Sequence, residues 1–443
     1  MTEPTAAKAK AFQEPHIARV VESITRHGVA ADTSCTGAGK TYIALLAAKA
    51  LGKRVCVLCP KIVIPAWQEA AAACGVKLVW ARNYENLLAK ANQGGSDPDI
   101  APFQWVVMPK VGRWYIPKGS MLVCDEAHKL SGETSKTACM LQAARRMKIP
   151  TLLLSATLAE SPIKLKSIGY ALGLHNGSED GFEKFLRTNG VTQTPWGRAY
   201  AEGAVGMQKI RSQLAEKIGG LTPADIPDLP ENFVQMLALP TGQNPDHAYR
   251  AVLENLELHA ADPLVAMLRA RQIAEYDKAE AIAEHALLAH EEGNAPVIFV
   301  NFRETGERLM ELLSELVPLR IDGDVSDRDR KEVMAQFQCG VVTCLICQIS
   351  AGGVGISLHR TSLSVRPRVS FISPGFSARD FLQALGRIRR VGGVDSQVVQ
   401  KIVYAEDSEI ESTIANSIRQ KIECLDSLND SDLAGALFSL NTH

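Results

Sequence analysis

Short apolar runs alternate with longer stretches of helical periodicity over the first 160 residues. The runs are 28–33, 54–58, 77–80, 105–108, 121–124 and 151–154, and amphipathic or helical stretches such as 17–27, 42–51 and one starting near Pro65 separate them. Apolar strands with helices between them predict a parallel sheet covered on both faces. From about 160 to 275 the pattern turns mostly helical, with turn signals at Asn176-Gly177, Asn189-Gly190 and Gly219-Gly220. A proline-rich connector over 221–232 falls inside that stretch. Alternation resumes with a helix over 278–292 and strands over 296–300, 341–346, 369–372 and 398–403, before an amphipathic, acidic tail. The expected class is therefore α/β, with two parallel-sheet domains in tandem. Their boundaries are placed at 1–160 and 276–410, with a helical insert and linker over 161–275 and a helical C-terminal tail over 411–443.

Composition sharpens this only slightly. The chain has 443 residues, 46% of them hydrophobic, enough for more than one core. Its 48 Lys and Arg against 49 Asp and Glu leave no bulk charge for a polyanion, so a nucleic-acid partner needs a local basic track. No apolar run reaches membrane-spanning length, so no membrane partner is expected. The start, MTEPTAAKAK, lacks the apolar centre of a signal peptide, which points to a cytoplasmic protein. Ten cysteines include the C-x-x-C pairs Cys56/Cys59 and Cys344/Cys347. Both pairs lie within apolar strands rather than on turns, so they read as buried core and not as metal ligands.

The chemistry begins at Ser34-Cys35-Thr36-Gly37-Ala38-Gly39-Lys40-Thr41, between a strand and a helix. Gly37 and Gly39 allow a backbone turn whose N–H groups face an anion, and the following helix adds its dipole. Thr36, Gly37, Ala38 and Gly39 form the cradle, Lys40 reaches the β- and γ-phosphates, and Thr41 holds magnesium. Ser34 stands where the general pattern has its first glycine. Gln13, about one helix upstream, offers a donor and an acceptor of the kind that reads an adenine edge.

Asp125-Glu126-Ala127-His128 ends the run at 121–124. Asp125 is placed to hold magnesium and Glu126 to activate an attacking water, with His128 near the γ-phosphate. Ser155-Ala156-Thr157 ends the next strand and is expected to couple this segment to a second domain. Gln383 to Arg390, read as a helix, sets Gln383, Gly386, Arg387 and Arg390 on one face. Arg387 and Arg390 would then stabilise charge on a leaving phosphoryl group.

The series SCTGAGKT, CDEAH, SAT, SAGGVGISL and QALGRIRR resembles the motif series of superfamily 2 DEAH-box helicases and translocases, over about residues 12–412. The second half, with VIFVNF and RIDGDVSDRDRKEVMAQF, is most similar to Swi/Snf-type ATPases and related phage and viral motors. Arg390-Val391-Gly392-Gly393 lacks the glutamine of the remodeller signature, which favours the phage or viral type. The resemblance implies two RecA-like domains that clamp ATP and track along a nucleic acid. It implies catalytic roles for Lys40, Asp125, Glu126, Arg387 and Arg390, with magnesium at Thr41 and Asp125. Gln13 and Gly355 would contact the nucleotide; His128, Ser155, Thr157 and Gln383 would couple the domains. Lys61, Lys110, Arg113, Arg303 and Ser350 follow strand ends and are the candidates for backbone phosphates. DNA is favoured over RNA, and replication or repair proteins are conceivable partners. An ATP-switched loading or accessory subunit, and an RNA helicase, stay open as alternatives.

Overall fold

The computed structural model describes residues 8–91, 102–106, 111–131, 136–194, 197–240, 250, 263–349, 356–406 and 408–429. The chain divides into two compact units, 1–227 with 421–433, and 228–420 with 434–443.

In the first unit the order is α1 (Glu14–His27), β1 (Val29–Asp32), α2 (Lys40–Ala50), β2 (Arg54–Leu58), α3 (Ile64–Cys74), β3 (Leu78–Arg82) and α4 (Tyr84–Lys90). There follow β4 (Phe103–Val106), β5 (Val111–Trp114), β6 (Ser120–Asp125), α5 (Lys136–Arg146) and β7 (Thr151–Leu154). After these come α6 (Lys166–Leu172), α7 (Glu179–Thr188), β8 (Val191–Thr194), β9 (Gly197–Tyr200), α8 (Gly203–Gln213) and β10 (Ile218–Gly219). Six strands form one sheet in the order β10-β1-β7-β6-β2-β3, and every pairing in it is parallel. Its strands are apolar on both faces because helices cover both. Cys56 and Leu58 of β2 join one large core cluster, while Val55 and Val57 are just as buried on the opposite face.

The second unit holds β11 (Glu231–Leu239), α9 (Pro263–Asp277), α10 (Ala279–Glu291), β12 (Ala295–Val300), α11 (Arg303–Leu312), β13 (Leu319–Ile321) and α12 (Asp327–Gln338). It continues with β14 (Leu345–Gln348), β15 (Arg368–Ile372), α13 (Ala378–Leu385), β16 (Gln397–Ala405) and the start of α14 (Glu409–Asn429). Its six strands are also all parallel, in the order β11-β16-β15-β12-β14-β13. The C-x-x-C cysteines Cys56, Cys59, Cys344 and Cys347 are all buried. Burial pushes the Cys56 and Cys344 thiols up to about 12.

Several expectations need correction. The stretch 161–275 is not wholly helical: it contains β8 to β11, of which β10 joins the first sheet and β11 the second. Of the run expected over 105–108, Trp105 and Val106 do not enter the main sheet, and 107–108 lie outside the described residues. Its start belongs to β4, which pairs antiparallel with β5 as a separate hairpin. Aromatic packing explains this: Phe103 lies 4.9 Å from Trp114, and a Cβ on Gly112 would stand 2.3 Å from the Phe103 ring. Phe103 therefore covers Gly112, and Trp114 Nε1 donates to Met140 O at 2.8 Å, tying the hairpin to α5. The strand expected over 341–346 runs instead over Leu345–Gln348, and Val341 is exposed. No helix among the described residues is long and apolar enough to cross a membrane.

One buried ion pair organises the second unit. Lys278, between α9 and α10, is fully buried, and its Nζ donates to Glu411 Oε2 at 2.6 Å, Ser373 Oγ at 3.2 Å and Val403 O at 3.2 Å. Glu411 Oε2 also accepts from Ala405 N at 3.2 Å. Removing one partner strands the other charge in the core. Glu411→Ala is expected to cost about 3–5 kcal/mol in urea unfolding of the full chain, whereas Lys278→Met with Glu411→Leu together should recover most of that loss.

Candidate nucleotide and coupling site

Parallel pairing sets the site. Leu154 of β7 is level with Asp32 at the end of β1 on one side and with Asp125 at the end of β6 on the other. The segments after all three strands therefore leave the sheet at the same carboxyl edge, where parallel sheets place their ligands.

The loop after β1 is held from below. Asp32 is fully buried, and its Oδ1 accepts from Ser34 N at 2.9 Å and from the Ser34 hydroxyl. His16 Nε2, on α1, lies 3.1 Å from the same oxygen. Ser34 Oγ in turn accepts from Leu221 N at 2.9 Å. A Cβ on Gly220 would stand 2.6 Å from Ser34 N, so the segment after β10 presses directly on the loop. Burial opposes the charge on Asp32. The hydrogen bond and charge of His16, then the charge of Lys40 and the Ser34 hydroxyl, outweigh it and hold the carboxyl below its ordinary value.

Above this base, Gly37 and Gly39 have φ of 89° and 81°. Gly39 has a second reason to lack a side chain, since its Cβ would meet Gln13 Nε2 at 2.7 Å. Gln13 is buried; its Nε2 donates to Ala38 O at 2.9 Å and its Oε1 accepts from Lys10 N at 3.0 Å. It thus sits on the loop with its amide engaged by protein. Lys40 opens α2, and its Nζ donates to Ser34 O at 2.8 Å and Cys35 O at 3.1 Å. Thr41 follows it in the first turn, half-buried. Among the described residues, the N–H groups of Thr36, Gly37 and Gly39 meet no protein acceptor. Donors without acceptors at a helix N-terminus, beside a lysine, fit an oligophosphate.

At the end of β6, Asp125 Oδ2 accepts from Trp67 Nε1 at 3.0 Å and Oδ1 from Glu126 N at 3.0 Å. Its carbonyl accepts from Tyr84 OH at 2.6 Å. Burial, then repulsion from Glu126, push the Asp125 carboxyl above its ordinary value, against the Trp67 bond and the Lys40 charge. Glu126 has φ of 53°, an uncommon backbone for a residue with a Cβ, and this turns it away from the strand direction. Its Oε2 lies 3.3 Å from His128 Nδ1, which is 3.2 Å from Ser155 Oγ. Thr157 N donates to that hydroxyl at 3.2 Å. Glu126, His128, Ser155 and Thr157 are thus brought into one chain of contacts. Thr41 and Asp125 are hard oxygen ligands of the kind magnesium takes.

In the second unit the expectation of one arginine-bearing helix face is corrected. Helix α13 ends at Leu385, so it carries Gln383 but neither Arg387 nor Arg390. Arg387 N reaches back to Ala384 O at 3.0 Å, a tighter turn than the helix. Arg387 O is taken by Leu358 N at 3.0 Å, which pulls the chain out of the helical ladder. The two side chains nevertheless converge: Arg387 Nη1 and Arg390 Nη2 both donate to Ile356 O, at 3.1 and 3.2 Å. Gly355, Ser350 and Lys110 lie outside the described residues. Lys61 is exposed just beyond β2. Arg113 is exposed on β5, 5.5 Å from the Tyr115 ring, and so belongs to the hairpin and not to a strand end of the main sheet. Arg303 is bonded to Glu307 and Asp324 at 2.8 and 2.5 Å.

Residues 277–392 match the family described as the Helicase conserved C-terminal domain. The whole chain is similar to a protein of Acanthamoeba polyphaga mimivirus, "Putative ATP-dependent RNA helicase L364", 29% identical over 473 aligned positions that cover 87% of that protein. A further similarity, 31% over 93 residues, is to "DNA repair protein rad5" of Neurospora crassa, and covers 21% of this chain and 7% of that one. Together these support a superfamily 2 helicase. Two parallel six-stranded sheets fit the tandem RecA-like domains that such helicases contain.

For this helicase-like chain, Asp32, His16, Trp67 and Tyr84 are site residues that motif spacing does not reveal. Asp32 was legible only as a charged residue closing an apolar strand. Ser34 is no mere lapse from the glycine pattern, because its hydroxyl bridges β1 to the segment after β10. Ser34→Gly, which restores the pattern, is therefore expected to weaken binding of a fluorescent ATP analogue about tenfold, the equivalent of roughly 1.4 kcal/mol. Asp32→Asn should do so too, and Ser34→Thr, which keeps the hydroxyl, much less. Tighter binding by Ser34→Gly would contradict the bridge.

Proposed function

We propose that the protein is an ATP-dependent nucleic-acid motor that hydrolyses ATP. What supports this reading above all is the shared edge of the first sheet. Unfilled N–H donors and Lys40 stand at the end of β1, and the Asp125–Glu126 pair stands at the end of β6, one strand removed and in register. ATP with magnesium, when bound, supplies the phosphoanhydride and a cation to polarise it. Lys40 exchanges the Ser34 and Cys35 carbonyls for phosphate oxygens, a stronger, charge-assisted partner. Thr41 and Asp125 would hold the metal. Glu126 accepts the proton of the attacking water, and His128 passes the change in Glu126 on to Ser155 and Thr157. Arg387 and Arg390 supply positive charge for the departing phosphoryl group; this assignment rests on motif order.

The nucleic acid is single- or double-stranded DNA or RNA, and the two named relatives point different ways. RNA gains from the viral relative, whose similarity spans the whole chain, and DNA from the second-half motif series and the shorter match. An accessory subunit that only switches with ATP would show hydrolysis insensitive to either.

Glu126→Gln is expected to lower kcat at least about 100-fold while leaving ATP affinity within about threefold, since a general base acts on the chemical step. Steady-state phosphate release checks the first and nucleotide titration the second. Normal hydrolysis by this variant would refute the assignment. Wild-type phosphate release, measured with single-stranded, duplex and forked DNA and RNA, should rise severalfold with at least one of them; a flat response across the panel would remove the motor reading.

A further inference from the structure

The carboxyl edge of the second sheet carries a cation that the motif series does not include. Arg271, on α9, lies with its guanidinium carbon 5.4 Å from the Phe302 ring centre and 5.2 Å from that of Phe376. Phe302 follows β12 and Phe376 follows β15, neighbouring strands of the sheet. The guanidinium is thus framed by aromatic rings where a parallel sheet presents its ligands. Its Nε is buried without a hydrogen-bond partner, and among the described residues no carboxylate stands within ion-pair distance of it. That is unusual for an arginine, whose planar fork normally finds an acceptor.

The surroundings explain why no local acid takes it. Glu275, one turn along α9, spends its carboxylate on the loop after β12: it accepts from Asn301 N at 2.9 Å, Asn301 Nδ2 at 2.6 Å and Phe302 N at 2.9 Å. These bonds fix Phe302 beside Arg271. Glu411, the other acid whose charge Arg271 feels, is committed to Lys278. A Cβ on Gly375 would stand 2.8 Å from Arg271 Nη2 and 2.7 Å from Asn301 Oδ1, so the β15 loop closes on the same group. The guanidinium is held in place by rings and backbone, with its acceptor still to be supplied.

We propose that Arg271, positioned by Phe302 and Phe376, is a contact for a backbone phosphate of a nucleic-acid strand. This rests on the nucleic-acid reading above. Arginine's fork matches two phosphate oxygens, and the half-buried site makes such a contact stronger than one on open surface.

Fluorescence anisotropy of labelled oligothymidylate and oligouridylate, titrated with the full chain across a salt series, tests it. Arg271→Gln is expected to raise Kd about tenfold and to reduce the slope of log affinity against log salt by about 0.7, the release expected from one single-strand phosphate. Binding of a fluorescent ATP analogue should be unchanged, which separates loss of a contact from loss of the fold. Arg271→Lys should keep the slope and still weaken binding severalfold, because a point charge replaces the fork. Should Arg271→Gln fail to fold, unchanged oligonucleotide affinity in Arg271→Lys overturns the proposal. An unaltered slope in folded Arg271→Gln overturns it and leaves the motor reading standing. No binding of either oligonucleotide by the wild type overturns both.

Discussion

Parallel strand pairing is the constraint on which the rest depends. In each unit it forces every strand of the six-stranded sheet to end at the same edge, and so gathers residues far apart in sequence without any contact designed for the purpose. In the first unit Leu154 is the ruler: Asp32 and Asp125 are level with it and therefore with each other. In the second, Phe299 is paired with Ile372, so the residues just beyond, Asn301 and Ser373, emerge side by side and bond at 2.9 Å. Each unit's polar groups collect there because the strand interiors are sealed on both faces.

The electrostatics of the first edge follow from burial. A carboxylate as deep as Asp32 would ordinarily surrender its charge, yet His16, Ser34 and the Lys40 charge keep it ionised. Asp125, on the far side of β7, is pushed the other way by burial and then by Glu126. Two aspartates at the same level of one sheet thus hold opposite protonation tendencies, set by which neighbours they have. The ionised one lies beneath the loop as part of its scaffold. The destabilised one is the carboxylate that a nearby cation would relieve.

Much of the fold was legible in the sequence. Apolar runs at 54–58, 121–124, 151–154 and 296–300 became central strands nearly residue for residue, because strands buried on both faces leave an uninterrupted apolar signature. The failures have a common cause. The edge strands β10, β11 and β13 are short or carry polar residues, and the Trp105 run is as apolar as a central strand but pairs locally. Apolarity reports burial, not the partner. At the site, spacing pointed to Lys40, Asp125 and Glu126 because a loop and a strand end are local features. Asp32, His16 and Trp67 escaped it because their roles depend on contacts spanning as many as 58 residues.

The stretch Gln383–Arg390 shows most clearly where periodicity runs out. Helical spacing would put Arg387 and Arg390 on one face; the structure has no helix there, and what the two side chains share is one carbonyl, that of Ile356. A helix would have fixed the arginines relative to Gln383. The observed turn fixes them relative to residues 356–358, through Leu358 N to Arg387 O. A carbonyl is also a neutral acceptor, which two guanidiniums exchange readily for an anionic one. Backbone thus gathers and orients the two arginines, through an acceptor that they share.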